Sequence, residues 1–335
     1  MDVDLTTRYL GLSLVNPLVV GASTLTCDVE SLRRLEAAGA AAAVLPSLFQ
    51  EQIQHEEVEI EQLYDVQLDR QSEAEQYVPD LNDLNQGAGG YLRFIQACKQ
   101  QLSMPIIASL NGHSRAEWIG HARLIEEAGA DALELNVYFL PTTAETNSQE
   151  VEDRYCDLVA AVRGEISIPL AVKINAYFTA LPQFARRLVD VGADGLVLFD
   201  RDVPPDINLE KMQLEPIHEL SSAHELGLPL RWTAILRDHV TGSLAATSGI
   251  QDGRDLVKVL LAGADVGMVV SSLLRHGAGY AQVMLDQLRD WMEEHKFARV
   301  ENLRGALPQA ENGDPSAAAR AQYIQTLLSY TEKST

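Results

Sequence analysis

The sequence has few basic residues, few cysteines and no long apolar runs, and each shortage excludes a class of protein. Its 335 residues include 26 Lys and Arg against 48 Asp and Glu, which gives a formal net charge of −22 and a pI near 4.7. Such a surface repels phosphate backbones and anionic lipid, so we expect no nucleic-acid partner and no membrane partner. One small anion could still bind, because oriented backbone amides can dominate inside a pocket.

The three cysteines, Cys27, Cys98 and Cys156, are widely spaced and form no Cys-x-x-Cys pair. Neither a disulfide framework nor a metal site is therefore expected, and this cysteine usage suits a reducing cytoplasm. The N-terminal segment lacks the basic and apolar regions of a signal peptide, and no run of about twenty apolar residues indicates a membrane span. No Gly-x-Gly-x-x-Gly fingerprint of a dinucleotide site is present.

A unit in which a helical pattern ends at Gly-Ala and leads into a short apolar run occurs four times. In each unit the glycine can end the helix, and the apolar run that follows has the composition of a strand buried on both faces. The four units are Leu35–Pro46, Ile125–Asn136, Val189–Asp200 and Leu260–Ser271.

Four further apolar runs alternate with these units, which makes eight candidate strands with helical patterns between most of them. This alternation predicts a parallel sheet, and eight repeats favour a closed barrel over an open doubly wound sheet. We therefore predict an α/β protein with a single (β/α)8 barrel over residues 1–307, then a linker and a docked C-terminal helix over 308–335. The further runs are Pro17–Ala22, Pro105–Leu110, Pro169–Ile174 and Ser243–Thr247.

Two long segments interrupt the alternation, at residues 49–90 and 201–231. Each follows the carboxyl end of a predicted strand, so each is expected on the barrel face where active sites are built. Loops of this length are usually functional, although an insertion without a role or an oligomer contact remains the alternative.

Polar residues at the predicted strand ends are the candidates for ligand binding. Lys173 ends an otherwise apolar strand, where it either meets an anion or lies at the solvent rim. The amide of Asn136 can donate and accept, which suits the edge of a heterocyclic ring. Its neighbour Glu134 is expected on the opposite side of the strand. Small residues at Ser248-Gly249 and at Ser271 would admit a phosphate, but serine and glycine are common in any loop.

The order of these motifs resembles the class 1 dihydroorotate dehydrogenases from about Leu12 to Gly305. Glu134-Leu135-Asn136 matches the family's Glu-Leu-Asn, Val172-Lys173 matches its Val-Lys, and Thr247-Ser248-Gly249-Ile250 is similar to its Thr-Gly-Gly-Ile. The resemblance implies FMN as cofactor, a homodimer, and oxidation of dihydroorotate in pyrimidine biosynthesis as the family reaction. The residues that it assigns to FMN are Ala22, Ser23, Ser47, Asn111, Asn136, Lys173, Ser248, Gly249 and Ser271.

The substrate side departs from the family pattern. After Glu-Leu-Asn the family continues Leu-Ser-Cys-Pro-Asn, in which the cysteine is the base, whereas here Phe139 stands at that position and cannot accept a proton. Tyr138 is expected to point away from the pocket if Phe139 faces it. Other substrate-facing positions of the family fall at Pro46, at Asp200-Arg201 and in the segment around Glu73, Tyr77 and Pro79.

These departures leave two interpretations of the function. The chain is either an FMN-dependent oxidoreductase with a different substrate, or a flavoprotein without catalysis, and it resembles a subgroup that keeps the FMN site without the catalytic residues. His113 is a weak candidate for a replacement base, and a loop histidine without that role is the alternative. The electron acceptor is unknown, and a separate partner would have to provide any link to NAD.

Overall fold

A computed structural model describes residues 3–52, 87–112, 115–201, 204–217, 219–307 and 315–332. Eight parallel strands close into a barrel, which confirms the predicted (β/α)8 fold. Each strand coincides with or overlaps one of the eight predicted runs. They are β1 Leu18–Val20, β2 Ala42–Phe49, β3 Ile106–Gly112, β4 Ala132–Val137, β5 Leu170–Ile174, β6 Gly195–Leu198, β7 Ser243–Thr247 and β8 Val266–Val269.

Each strand pairs with the next along the chain, and β8 pairs with β1 to close the ring. Strand β2 continues past Pro46 to Phe49, three residues beyond the predicted run. Its pairing with β3 shifts register between Val44 and Ser47, where Pro46 has no N–H to donate to the ladder.

Helices surround the barrel and follow the strands as expected. They are α1 Val29–Ala37, α2 Gly87–Gln101, α3 Arg115–Glu127, α4 Ser148–Arg163, α5 Leu181–Asp190, α6 Gly227–Leu236, α7 Gly253–Leu261, α8 Ser271–His276, α9 Tyr280–Glu294, α10 Val300–Leu303 and α11 Pro315–Glu332. The glycines of the four repeated units each have a positive φ, between 95° and 118°, just after a helix end.

Three of the repeated units continue with an aspartate that joins the start of one strand to the end of the preceding helix. Asp194 accepts a hydrogen bond of 2.8 Å from the backbone N–H of Leu170, the first residue of β5, and one of 3.0 Å from Arg163 of α4. The other two aspartates repeat this arrangement, Asp131 with Ile106 and Lys99, and Asp265 with Leu244 and Arg237.

Apolar residues fill the lower half of the barrel interior, at the amino ends of the strands. Polar residues lie above them, towards the carboxyl ends. Val19, Ile107, Ala132 and Ala171 pack inside with Tyr9 of a short N-terminal hairpin that closes the barrel floor. Because alternate residues of a strand share a face, the residues two places further along β3, β4 and β5 also point inward. Those residues are Ser109, Glu134 and Lys173.

The C-terminal helix forms as predicted, and those of its side chains that the structure describes are exposed. Its packing against the barrel stays a prediction. Most of the long segment 49–90 lies outside the described residues. Segment 201–231 contains a two-stranded hairpin, Asp206–Asn208 with Gln213–Glu215, and returns to the barrel through the 3-10 turn Ala223–Leu226. Among the described residues, no helix is long and apolar enough to cross a membrane.

Candidate functional site

A cluster of four polar side chains lies at the upper end of the barrel interior, and we call it the mouth cluster. It consists of Glu134 and Asn136 of β4, Lys173 of β5, and Asp200, which follows β6. The Lys173 ammonium is 3.4 Å from Asp200 Oδ1 and 3.9 Å from Glu134 Oε1. The amide of Asn136 donates to the same Asp200 oxygen at 3.3 Å. The predicted candidates Asn136 and Lys173 are therefore neighbours.

The expectation that Glu134 faces away from Asn136 was wrong. The two residues are two positions apart on one strand, and such residues share a face. Glu134 is 1% exposed, and its burial raises the pKa of the carboxyl group, although Lys173 acts in the opposite direction. Part of the polar interior thus consists of a carboxylate that the sequence interpretation placed on the other side of the strand.

Lys173 is held as a cation by its neighbours. Burial alone would lower its pKa, but the carboxylates of Glu134 and Asp200 outweigh burial and raise the pKa of Lys173 above its usual value. The sequence placed this lysine correctly at the end of an inner strand, but it did not show that two carboxylates offset its charge.

Two oxygens of the mouth cluster have no hydrogen-bond partner among the described residues. They are Asn136 Oδ1 and Glu134 Oε2, and both are buried. A buried acceptor without a partner costs free energy, so such atoms in a folded protein call for a further group that meets them. Both lie in side chains directed into the barrel mouth.

Ser47 and Asn111, two further predicted residues, lie on the strands beside the cluster. The hydroxyl of Ser47 is 2.8 Å from that of Ser109, across β2 and β3. Asn111 is opposite Asn136 in the register of β3 and β4. A band of polar residues therefore runs across four neighbouring strands, from Ser47 to Lys173.

The predicted phosphate residues meet in a second group, which we call the serine cradle. Ser248 and Gly249 follow β7 with consecutive positive φ angles of 73° and 76°. The N–H of Gly249 donates to the hydroxyl of Ser221 at 3.3 Å, and that hydroxyl is 2.8 Å from the hydroxyl of Ser271. A Cβ at Gly249 would lie 2.2 Å from the backbone nitrogen of Leu226, so this position requires glycine.

Ser221 belongs to the long segment after β6, and the sequence interpretation missed it. Two arginines hold its loop in place. Arg275 donates to the carbonyl of Ser221 at 2.9 Å, and Arg201 pairs with Glu225 at 2.8 Å. A lone serine in a long segment carries no pattern, so no local signal could have placed it beside Ser271.

Ala22 and Ser23 lie at the upper end of β1. Ser23 caps a 3-10 turn by accepting from the N–H of Leu25 at 3.3 Å, and Ala22 packs against the apolar barrel interior. The N–H of Gly21 donates to the carbonyl of Val269 at 3.2 Å, which joins β1 to the end of the strand that leads to Ser271. These predicted residues thus lie on the same barrel face as the serine cradle.

Beside the mouth cluster lies a cleft lined by Val137, Tyr138, Phe139, Leu140, Asn175 and Asp200. The guanidinium of Arg154 covers the ring of Phe139, 4.1 Å from its centroid. Tyr138 and Phe139 both line the cleft, and the direction in which the Tyr138 side chain points stays a prediction. Strand β4 ends at Val137, and alternation does not continue beyond it. His113, Glu73, Tyr77 and Pro79 lie outside the described residues.

No family model matches the chain. It is 23% identical over 306 residues to the dihydroorotate dehydrogenase B (NAD(+)), catalytic subunit, of Thermoplasma volcanium. This match covers 90% of this chain and 98% of that protein. The protein of the same name from Methanocaldococcus jannaschii is 24% identical over 308 residues, with 89% and 96% covered. The NAD-dependent dihydropyrimidine dehydrogenase subunit PreA of Escherichia coli K12 is 23% identical over 218 residues, with 60% and 52% covered. With its closed barrel, this chain is similar over nearly its whole length to the catalytic subunits of dihydroorotate dehydrogenase B.

Proposed function

We propose that this protein binds FMN at the mouth of its barrel and acts as a flavin-dependent oxidoreductase. The observation that carries this proposal is the mouth cluster, in which two buried oxygens lack partners beside a charged lysine. A flavin ring carries N–H and C=O groups along one edge, which suit these acceptors and the Lys173 ammonium. The names of the relatives, all dehydrogenases, support the same class of reaction.

The residues present fit both ends of FMN. Asn136 and Lys173 would hold the ring edge. The hydroxyls of Ser221 and Ser271, with the backbone of Ser248 and Gly249, would hold the phosphate, because small side chains let it approach the amides closely. When bound, FMN would supply an acceptor for two electrons. The protein's own part would be to orient the ring, bind the phosphate and shape the cleft.

Oxidation of dihydroorotate is not the reaction that we propose. Phe139 cannot take up the proton that this reaction releases, and Arg154 covers its ring. Of the six cleft-lining residues, Tyr138 carries a phenol and Asp200 a carboxylate, and Asp200 is already bound to Lys173 and Asn136. Among the described residues that line the cleft, the phenol of Tyr138 is the one group left that could act as a base, which also supports the second candidate, a flavoprotein that does not catalyse.

The cofactor proposal is tested by the visible spectrum of the purified protein and by FMN titration. We expect one FMN per chain, and a lower affinity in Lys173→Gln, which keeps a polar side chain but removes the charge. A protein that is colourless and stays colourless after FMN is added would contradict the proposal. Anaerobic mixing with dihydroorotate should leave the flavin oxidised, whereas its reduction by another donor would separate the oxidoreductase from the non-catalytic flavoprotein.

We also propose that the protein is a homodimer and passes electrons to a separate partner. The support is the family resemblance and the word subunit in the names of the relatives. Sedimentation equilibrium of the purified chain tests the first part, since a monomer at micromolar concentration would contradict it.

A further inference from the structure

Lys173 and Asp200 form an ion pair at the barrel mouth in which the two charges cancel. The Lys173 ammonium is 3.4 Å from Asp200 Oδ1, and the two side chains are 15% and 22% exposed, so water and salt screen the pair only in part. The amide of Asn136 donates to the same oxygen at 3.3 Å and holds the carboxylate beside the lysine. An asparagine at position 200 could accept this hydrogen bond as well. What the aspartate adds is therefore its negative charge.

Glu134 is the second carboxylate beside Lys173, and it is the weaker countercharge. It lies further from the ammonium, at 3.9 Å, and its burial raises the pKa of its carboxyl group. The charge of Asp200 raises that pKa as well. Loss of Asp200 would therefore lower the pKa of Glu134 and let it offset part of the Lys173 charge. In the native chain Asp200 is the main countercharge, and Glu134 can replace it in part.

The arginines nearest to the pair are engaged elsewhere. Arg201 follows Asp200 in the chain and is paired with Glu225 at 2.8 Å. The guanidinium of Arg154 lies over the ring of Phe139. Among the described residues, no ion pair joins either arginine to Asp200. Both arginines stay unchanged when Asp200 is replaced, so their effect on a bound ligand cancels from the comparison.

A lysine without a countercharge beside a flavin would favour the reduced cofactor. Reduction adds negative charge to the ring system, and a nearby cation stabilises that charge. The partnerless oxygens Asn136 Oδ1 and Glu134 Oε2 support a ring at the mouth cluster, next to Lys173. Beside an ion pair without net charge, the reduced ring gains much less stabilisation. The pair therefore keeps the reduction potential lower than a lone lysine would.

We propose that Asp200 is a positioning residue that neutralises Lys173 and thereby lowers the reduction potential of FMN bound at the barrel mouth. The inference rests on the proposed function for the presence of FMN there. It deepens that function, because it assigns to one residue of this chain the control of how readily the cofactor takes up electrons.

The test is the reduction potential of the bound flavin at pH 8, measured anaerobically on the full chain by equilibrium with a reference dye. We expect Asp200→Asn, which keeps the side-chain shape and an acceptor for Asn136, to favour reduced over oxidised FMN at least about tenfold, a rise of about 30 mV for two electrons. In the Glu134→Gln background, where residue 134 cannot gain a charge in response, the rise should be as large or larger. Asp190→Asn, an exposed change on α5, is the matched control and should leave the potential unchanged.

A double variant separates the charge of Asp200 from a structural role. Lys173→Gln should lower the potential, because Asp200 is then left without its cation. Lys173→Gln combined with Asp200→Asn removes both charges of the pair and should return the potential close to the wild-type value. A merely structural role of Asp200 would weaken oxidised and reduced FMN alike and leave the potential where it was.

The outcomes distinguish this inference from the cofactor proposal. A bound flavin with the same potential in Asp200→Asn, in both backgrounds, would overturn the inference alone. A double variant with a potential as high as that of Asp200→Asn would overturn it too, because Asp200 would then not act on Lys173. A chain that binds no FMN would overturn the cofactor proposal and this inference together.

Discussion

At the scale of single residues, Lys173 carries a positive charge inside the barrel, and the carboxylates of Glu134 and Asp200 stabilise that charge. The side chain of Lys173 is 15% exposed and that of Glu134 is 2% exposed, so water screens this pair weakly. Removing one partner of such a pair leaves the other as a buried charge without compensation.

We therefore expect Lys173→Met to lower the free energy of unfolding by about 3 kcal/mol at pH 8, near the lower end of the cost of breaking a buried pair. Lys211→Met, which breaks an exposed pair with Glu215, should change it by less than about 0.5 kcal/mol. Urea unfolding of the three proteins measures both changes. Equal costs would show that the Lys173 charge is solvated after all.

The loss in Lys173→Met should also depend on pH. Burial already raises the pKa of Glu134, and without Lys173 that pKa rises further above its value in the unfolded chain. The folded variant then binds a proton more readily than the unfolded chain, so it regains stability as the pH falls through the folded pKa towards about 4.3. The difference in the free energy of unfolding between wild type and variant should be smaller at pH 5 than at pH 8. A gap that widens on acidification would contradict the assignment to Glu134.

Phe139→Cys tests whether the missing base alone prevents dihydroorotate oxidation. We expect the variant to remain inactive, because the other substrate-facing positions of the family pattern, at Pro46 and Asp200-Arg201, also differ, so the substrate would not be oriented. Anaerobic reduction of the bound flavin by dihydroorotate measures this. Rapid reduction in the single variant would show that a substrate-binding arrangement survives.

At the scale of elements, the repeated Gly-Ala-Asp units show how a short motif fixes the strand starts. Asp265 is 5% exposed in its side chain and pairs with Arg237 and Arg304, whereas the side chain of Asp194 is 46% exposed. We expect Asp265→Ala to cost about 3 to 5 kcal/mol and Asp194→Ala about 1 kcal/mol, measured by urea unfolding. Similar costs for the two variants would contradict the importance of burial here.

The loop of Ser221 and the turn after β7 meet at Gly249, and a pair of glycines isolates that contact. Gly249 and Gly11 have nearly equal φ angles of 76° and 75°, but a Cβ on Gly11 would meet nothing within 4 Å. Gly11→Ala should therefore cost only the backbone strain, about 1 kcal/mol. Gly249→Ala should cost more and should weaken FMN binding. Equal stability of the two variants in urea, with unchanged FMN affinity, would show that the cradle tolerates displacement of the loop.

The elements of the fold were more predictable from the sequence than the contacts of single residues. The eight strands were predictable because helix and strand periodicity is local and the Gly-Ala unit repeats. The contact of Ser221 with Gly249 and Ser271 was not predictable, because it joins residues 28 and 50 positions apart. For Glu134, the alternation of side chains along a strand was enough to predict that it shares a face with Asn136, and the sequence interpretation applied this alternation wrongly. For Asp200, the position at a strand end was predictable, but the ion pair with Lys173 was not.

At the scale of the whole molecule, the net charge of −22 opposes the compact state through self-repulsion. Salt screens this repulsion, since the Debye length falls from about 30 Å at 0.01 M to about 10 Å at 0.1 M. The largely buried pairs, such as Lys173 with Asp200, are screened much less, and exposed pairs contribute little. The self-repulsion of the excess carboxylates should therefore be the contribution to stability that salt changes most.

We accordingly expect the midpoint of thermal unfolding at pH 8 to rise by a few degrees between about 0.01 and 0.3 M NaCl. The control is the same series near pH 4.7, the pI of the chain, where self-repulsion is close to zero and the rise should disappear. An equal rise at both pH values would show that salt acts through hydration of apolar surface. A fall at pH 8 would show that ion pairs such as Asp265 with Arg237 outweigh the repulsion of the excess carboxylates.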